Sequence, residues 1–243
     1  MIDQHLDLTT ADGAMNTFVT HPEEGGPHPV VLFLMDAPGK REELHDMARR
    51  IGTAGYYVIL PNLYYRRTRE FNVFSGKPDQ TGEQLIGHMR SLDFTTLATD
   101  VGAALAHVDA DPAADGERVG VVGYCMSGPF AYAAAGLFPE RIQAAASFYG
   151  VNLSGDTSPA QFADQITGEL YFGCAEHDEY APPEMIAALE RELAATTVRH
   201  RIEWYPGTHH GFAFPSREGA FDRDACERHY ERIFALFDRT LRS

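Results

Sequence analysis

The sequence predicts an α/β fold, a mostly parallel central sheet with helices on both faces. Short apolar runs alternate with stretches of helical spacing through most of the 243 residues. Glycines and polar loops separate these segments. The last stretch, residues 221–241, has the amphipathic pattern of a long closing helix. Because no repeat, linker or low-complexity tract interrupts the pattern, we expect a single domain over residues 1–243.

The first half of the chain predicts an antiparallel opening that leads into parallel strands. Two short alternating segments come first, and a continuous apolar run marks the first buried strand. Gly55 is expected to end the first helix before the next strand begins. The expected strands are residues 6–9, 16–20, 29–34 and 56–60, and the expected helices are residues 42–54 and 94–108.

In the second half, strands alternate with helices at the spacing that parallel sheets require. Prolines at 182 and 183 indicate the start of one of the helices. The expected strands begin at Val119 and span residues 144–149, 169–174 and 199–205, with helices at residues 127–137, after Pro183, and at 221–241.

Residues 64–93 show no clear regular structure in the sequence. The segment is rich in arginine, aromatic and glycine residues and joins a strand to a helix. Long connections at such a position often act as lids or binding loops. We therefore expect a lid or substrate loop with Tyr64 and Arg90 as candidate contacts, the alternative being that its aromatic residues only pack the loop onto the body.

An apolar strand stops at Cys125 and turns directly into a helix. The pattern Gly-x-Cys-x-Ser-Gly places Gly123 two residues before the cysteine and Ser127 two residues after it. Small residues are needed there because strand, turn and helix meet closely. A helix that begins after the sulfur favours a thiolate. Cys125 is thus a candidate nucleophile, or alternatively a small buried hydrophobic residue.

Two later strand ends carry the partners that a nucleophile needs. Asp178 follows an apolar strand, and the pair His209 and His210 follows the next strand. Each has an ordinary alternative: Asp178 as a solvated acid or helix cap, the histidines as surface residues. Their chain order of nucleophile, acid and histidine, each at the end of a strand, is that of the α/β-hydrolases, and it predicts a catalytic triad.

With these motifs the chain resembles the dienelactone hydrolase family of α/β-hydrolases. The resemblance implies an esterase-like enzyme with no metal and no organic cofactor. Position by position, it implies Cys125 as nucleophile, His210 as general base and Asp178 as the acid that orients His210. It also implies an oxyanion hole formed by the backbone N–H groups of Met126 and Ala37. The segments that carry the resemblance are residues 35–39, 60–64, 123–125, 178 and 205–212.

The chain departs from the dienelactone-cleaving members of that family in three places. Asp36 stands where a glutamate usually approaches the resting cysteine. It is expected to hold the thiol neutral until substrate arrives, or alternatively to cap the turn beside Pro38. Phe214 stands in the segment where an arginine binds the substrate carboxylate, so we expect weak activity on dienelactone. Ser127 replaces a usual glycine and adds a hydroxyl near the nucleophile.

The predicted function is hydrolysis of a small ester or lactone through an acyl-thioester. Tyr149, at a strand end beside the elbow, and Phe212, after the base, are expected to line the substrate pocket. One alternative is a ligand-binding or redox-sensing protein whose thiol is oxidised without hydrolytic turnover. A dehalogenase is a weaker alternative, because that chemistry on this fold uses a carboxylate at the elbow.

The composition disfavours nucleic acids and membranes as partners; the expected partner is the small ester or lactone substrate. A formal net charge of −15 disfavours nucleic acids and anionic membranes, which would repel the protein. No stretch approaches the roughly 20 apolar residues of a bilayer span, and the polar start lacks a signal peptide's apolar core. Three cysteines without a pairing pattern indicate a reducing compartment. We therefore expect a cytoplasmic protein.

Overall fold

The computed structural model describes residues 1–242, and its internal contacts divide the chain into two units. Unit 1 comprises Met1–Glu117, and unit 2 begins at Arg118. The elements of unit 1 are β1 (Ile2–Thr10), β2 (Gly13–His21), β3 (His28–Leu34), α1 (Glu42–Thr53), β4 (Tyr57–Pro61), α2 (Gly82–Met89) and α3 (Phe94–Ala110).

Unit 1 contains the expected change from antiparallel to parallel pairing. β1 and β2 form an antiparallel pair that runs from Ile2 opposite His21 to Thr10 opposite Gly13. β2 also pairs antiparallel with β4, whereas β3 and β4 are parallel. The side chains of β4 are all buried, as are nearly all those of β3, which is typical of strands covered on both faces.

The segment 64–93 is more regular than the sequence predicted. It holds a short 3₁₀ turn at Val73–Ser75 and the helix α2. The side chain of Thr81 accepts a hydrogen bond from the backbone N–H of Gln84, and the Gln84 side chain accepts one from the N–H of Thr81. This capping box starts a helix that has only one fully buried residue, His88, so its apolar periodicity is weak.

Unit 2 continues from β5 (Ala114–Tyr124), whose first residues belong to unit 1. Within it, β5, β6, β7 and β8 follow one another in space and are parallel throughout. Helix α6 packs directly on β5, since a Cβ at Gly120 would lie 2.7 Å from the ring of Phe237. The later elements are α4 (Gly128–Leu137), β6 (Ile142–Phe148), β7 (Glu169–His177), α5 (Pro183–Ala194), β8 (Arg199–His209) and α6 (Arg223–Leu241).

Two boundaries differ from expectation in ways that affect the site. The last strand continues to His209, because a register shift after Ala175 lets β7 pair on to His177 opposite His209. The closing helix begins at Arg223, since the side chain of Asp222 caps it by accepting the N–H of Ala225 at 2.8 Å. None of the helices in the described part of the chain combines the length and hydropathy of a membrane span.

Candidate active site

Cys125 lies at the first position after β5, in a turn with an unusual backbone. Its φ of 54° is in the left-handed region, which costs a non-glycine residue about 1–2 kcal/mol. Two backbone donors fix its carbonyl oxygen, the N–H of Gly128 and the N–H of Val151, the latter at 3.2 Å. The side chain is partly accessible. Such strain is kept where the surrounding structure over-determines the backbone, often at reactive residues.

Close packing explains the glycines around Cys125. A Cβ at Gly123 would lie 2.2 Å from the carbonyl oxygen of Ser127, and a Cβ at Gly128 would lie 2.5 Å from the Cα of Gly150. A larger residue at either position would push the turn away from strand β5 or from the segment after β6. The sequence motif is therefore a steric requirement of this elbow.

Asp178 and His210 are joined at the ends of β7 and β8. Nδ1 of His210 lies 2.8 Å from Oδ2 and 2.9 Å from Oδ1 of Asp178. Oδ1 also accepts the backbone N–H groups of Tyr180, at 2.9 Å, and of Ala181, at 3.1 Å. These donors compensate the burial of the carboxylate and hold it in one orientation. His209 is exposed and packs on His177, so His210 is the histidine in the cluster.

The surroundings of His210 favour its protonated form. Burial alone would lower its pKa, but the hydrogen bond to Asp178 and the nearby sulfur of Cys125 outweigh it and raise the pKa to about 9. Nε2 is buried and has no hydrogen-bond partner among residues 1–242. The sulfur of Cys125 raises this pKa both as a hydrogen-bond partner of the imidazole and through its charge, although the contact is looser than a regular hydrogen bond, as is common in ligand-free active sites.

Aromatic side chains enclose the His210 ring. The ring centroid of Tyr149 lies 5.1 Å from it and that of Tyr180 lies 4.8 Å from it, both tilted by about 60°. Tyr149 is a residue that the sequence predicted to line the pocket, whereas Tyr180 was not predicted. The available signal for Tyr180 was its position two residues after Asp178. Phe212 is fully buried behind Tyr149, at 5.1 Å between centroids. Tyr180 is 66% exposed and so forms the outer wall.

In unit 1, the turn after β3 is fastened by a buried ion pair. Arg41 holds both carboxylate oxygens of Asp36, at 2.5 Å and 3.2 Å, and also bonds the carbonyl oxygen of Gly39 at 3.1 Å. Asp36 is inaccessible to solvent and Arg41 nearly so. The Coulomb attraction and hydrogen bonds of Asp36 and Glu43 outweigh the burial of Arg41 and raise its pKa.

The same turn is fixed at its other carbonyl groups. The hydroxyl of Tyr64 donates to the carbonyl oxygen of Ala37 at 2.9 Å, and the N–H of Val73 donates to that of Pro38 at 3.1 Å. The N–H of Ala37 donates no hydrogen bond to a residue within 1–242. The turn thus presents one backbone donor that is not used internally.

The two candidate contacts in segment 64–93 differ in accessibility. Tyr64 is 1% exposed, with its ring stacked on His88 at 5.1 Å. Arg90 is exposed at the C-terminal cap of α2. Tyr64 therefore supports the turn at Ala37, whereas Arg90 presents a charge to solvent.

A family model and a curated relative indicate the same family. The model of the "Dienelactone hydrolase family" matches residues 15–241. "Carboxymethylenebutenolidase 1" of Cupriavidus pinatubonensis is 25% identical over 226 residues, which are 93% of this chain and 92% of that protein.

Solved structures show the fold. A Klebsiella pneumoniae protein assigned to the dienelactone hydrolases superposes with a TM-score of 0.86 at 20% identity, covering 97% of this chain and 98% of that one. Dienelactone hydrolase from Anabaena variabilis gives 0.71 at 17% identity, covering 99% and 98%. The α/β-hydrolase fold expected from the sequence is thereby confirmed. The match of the family model over nearly the whole length establishes that this chain belongs to the dienelactone hydrolase family.

Proposed function

We propose that this protein hydrolyses a small ester or lactone with Cys125 as nucleophile, His210 as acid and base, and Asp178 as the orienting carboxylate. The observation that carries the proposal is His210, bonded through Nδ1 to Asp178 and raised in pKa by the sulfur of Cys125. A base oriented by a carboxylate beside a thiol at a strained elbow is the arrangement that activates a nucleophile. Family membership supports the same class of reaction.

The proposed reaction has two halves. The thiolate of Cys125 attacks the carbonyl carbon, and the resulting tetrahedral intermediate collapses as the C–O bond breaks and protonated His210 gives its proton to the leaving oxygen. Water then attacks the acyl-thioester while His210 takes its proton, and Cys125 leaves as thiolate. An alcohol and an acid are released, or one hydroxy or keto acid from a lactone.

Backbone donors would stabilise the negative charge on the carbonyl oxygen. We assign this role to the N–H groups of Met126 and Ala37, as the family resemblance implies. The start of α4 after the elbow and the unused N–H of Ala37 support the assignment. Loss of one such donor typically costs about 3–4 kcal/mol of transition-state stabilisation.

Asp36 keeps its proposed role in restraining the resting thiol. Its ion pair with Arg41 adds a second role, because the same carboxylate also anchors the turn that carries Ala37. Replacing Asp36 with asparagine separates these roles: the amide keeps one oxygen for Arg41 but loses the charge.

The substrate class we propose is a small ester or lactone without a required carboxylate. Phe214 is fully buried and packs on Tyr124 and Tyr149, so no cation is presented at that position. Of the candidate substrate contacts, Tyr149 lies against His210, and Phe212 and Tyr64 act by supporting Tyr149 and the turn at Ala37. Arg90 is the remaining candidate for a polar substrate group.

Acyl-enzyme trapping tests the proposal. The protein is mixed with p-nitrophenyl acetate, quenched in acid and analysed by peptide mass spectrometry. We expect an acetyl group on Cys125 and no turnover by Cys125→Ala. Acetylation at another residue, or turnover that survives in Cys125→Ala, would contradict the proposed nucleophile. Absence of turnover together with reversible oxidation of Cys125 by peroxide would favour the redox-sensing alternative.

A further inference from the structure

The hydroxyl of Ser127 bridges the elbow across the candidate nucleophile. Its Oγ accepts the backbone N–H of Tyr124 at 2.9 Å and donates to the carbonyl oxygen of Tyr124 at 3.1 Å. Both bonds reach the residue immediately before Cys125, and Ser127 itself is inaccessible to solvent. One side chain thus holds both backbone polar groups at the end of β5.

We propose that Ser127 is a positioning residue that keeps the sulfur of Cys125 in its reactive orientation. The role rests on the proposed function for its effect on turnover, but its effect on the thiol stands apart from any substrate. The carbonyl of Tyr124 and the N–H of Cys125 belong to one planar peptide group. A hydrogen bond to that carbonyl therefore fixes the orientation of the peptide plane that immediately precedes the Cα of Cys125.

Sterics alone do not call for a serine at this position. Ser127 has φ −91° and ψ −2°, a conformation open to alanine as well as glycine. Cys125, by contrast, has a φ of 54°, which lies in the left-handed region that a non-glycine residue disfavours. The two hydroxyl bonds oppose relaxation of that strain. Without the hydroxyl, the carbonyl oxygen of Tyr124 loses the hydrogen bond that Ser127 donates from the start of the helix.

A second buried serine offers a matched comparison. Ser147 is 2% exposed, and its Oγ has no hydrogen-bond partner among residues 1–242. Its Oγ would lie 2.5 Å from a Cβ at Gly128 and 2.3 Å from one at Gly150, so it packs against the start of the same helix α4. The two serines therefore differ in bonding to the elbow while sharing burial and neighbourhood.

The test uses the variants Ser127→Ala, Ser127→Gly and Ser147→Ala. The rate constant for alkylation of Cys125 by iodoacetamide is measured from pH 6 to 10, together with kcat and KM for p-nitrophenyl acetate. A misplacement of a reacting atom by about 1 Å can cost about 100-fold in rate, so the smaller displacement expected here corresponds to a loss of about tenfold. We expect that loss in both the alkylation rate and kcat for the two Ser127 variants, with KM unchanged, and less than about twofold change for Ser147→Ala.

Unchanged alkylation in folded Ser127→Ala would overturn the inference, even if its melting temperature fell, because the role would then be structural only. Equal losses in Ser127→Ala and Ser147→Ala would also overturn it. Should Ser127→Ala fail to fold, Ser127→Gly decides by the same criteria. Turnover that survives in Cys125→Ala would refute the proposed function. The comparison of Cys125 alkylation rates between the Ser127 and Ser147 variants would still test the role of Ser127, because alkylation needs no substrate.

Discussion

Asp178 and His210, 32 residues apart in sequence, are joined through a single imidazole nitrogen that lies 2.8 Å from one carboxylate oxygen and 2.9 Å from the other. This bond fixes Nδ1 as the nitrogen that faces the acid, so Nε2 is the nitrogen that we propose for proton transfer. Because two backbone N–H groups also hold the carboxylate, the orientation of the imidazole is set before substrate arrives.

Replacing Asp178 with asparagine should disable the imidazole while preserving the fold. The amide cannot stabilise the imidazolium and favours the wrong tautomer, so kcat for p-nitrophenyl acetate should fall by about 10³–10⁴-fold. The pKa of His210 should fall with it, since Asp178 is one of the causes that raise it. NMR titration of the His210 ring measures the shift. A kcat within tenfold of the wild type would contradict the role of Asp178.

The pH dependence of turnover should have an alkaline limb. His210 has a pKa raised to about 9, so the imidazolium that protonates the leaving group persists through neutral pH and is lost as the pH rises through about 9. We expect kcat/KM to fall between pH 8 and 10 while alkylation of Cys125 does not. Cys125→Ser should lower the pKa of His210, because the sulfur contributes to raising it. A flat profile up to pH 10 is the contrary result.

The same group links folding stability to pH. A histidine whose pKa is raised in the folded state from 6.5 contributes stability fully below about pH 6.5 and loses it as the pH passes about 9. The difference in free energy of unfolding between wild type and His210→Gln should therefore shrink from pH 6 to pH 10. Urea denaturation at both pH values measures it. A difference that grows with pH would mean that burial outweighs the partners of His210.

Removal of Arg41 should destabilise the protein far more than removal of the partly exposed Arg49. Arg41→Met leaves the carboxylate of Asp36 buried without its counter-ion, at a cost of about 3–5 kcal/mol in the free energy of unfolding. Arg49 also contacts several acids, Asp3, Glu42 and Asp46, but at the surface. Arg49→Ala should cost less than about 1 kcal/mol. Similar losses in the two variants would show that burial does not strengthen the Asp36 pair.

Asp36→Asn tests restraint of the resting thiol. If Asp36 restrains the thiol as proposed, loss of its negative charge should raise the iodoacetamide alkylation rate of Cys125 below pH 8, because a carboxylate beside a thiol disfavours the thiolate. Arg41 keeps Glu43 as a counter-ion in this variant, and a circular dichroism spectrum together with the melting temperature serves as the control for folding. If alkylation rate and turnover both equal those of the wild type, Asp36 has no part in restraining the thiol.

The absence of a cation at position 214 should appear in substrate preference. We expect kcat/KM for dienelactone to be at least about tenfold below that for a neutral lactone of similar size, because a charge-assisted bond to its carboxylate contributes about 1.5–3 kcal/mol. A panel of lactones and short-chain esters, run on wild type and Cys125→Ala, measures it. Efficient turnover of dienelactone would show that another residue binds the carboxylate.

The sequence by itself determined the elements that local patterns encode. Apolar runs predicted the strands, and the small residues Gly123 and Ser127 predicted the elbow, because both signals act between residues close in the chain. The helix at 82–89 was missed, since its weak periodicity hid a start that the Thr81–Gln84 capping box signals.

Only the tertiary structure decided which side chains meet. It brought Tyr180 against the imidazole of His210, paired Asp36 with Arg41 and joined the hydroxyl of Ser127 to Tyr124. The physical reason is that these contacts depend on strand register, burial and the direction of the backbone. Register places neighbouring residues of a strand on opposite faces of the sheet and brings residues that are distant in sequence into contact.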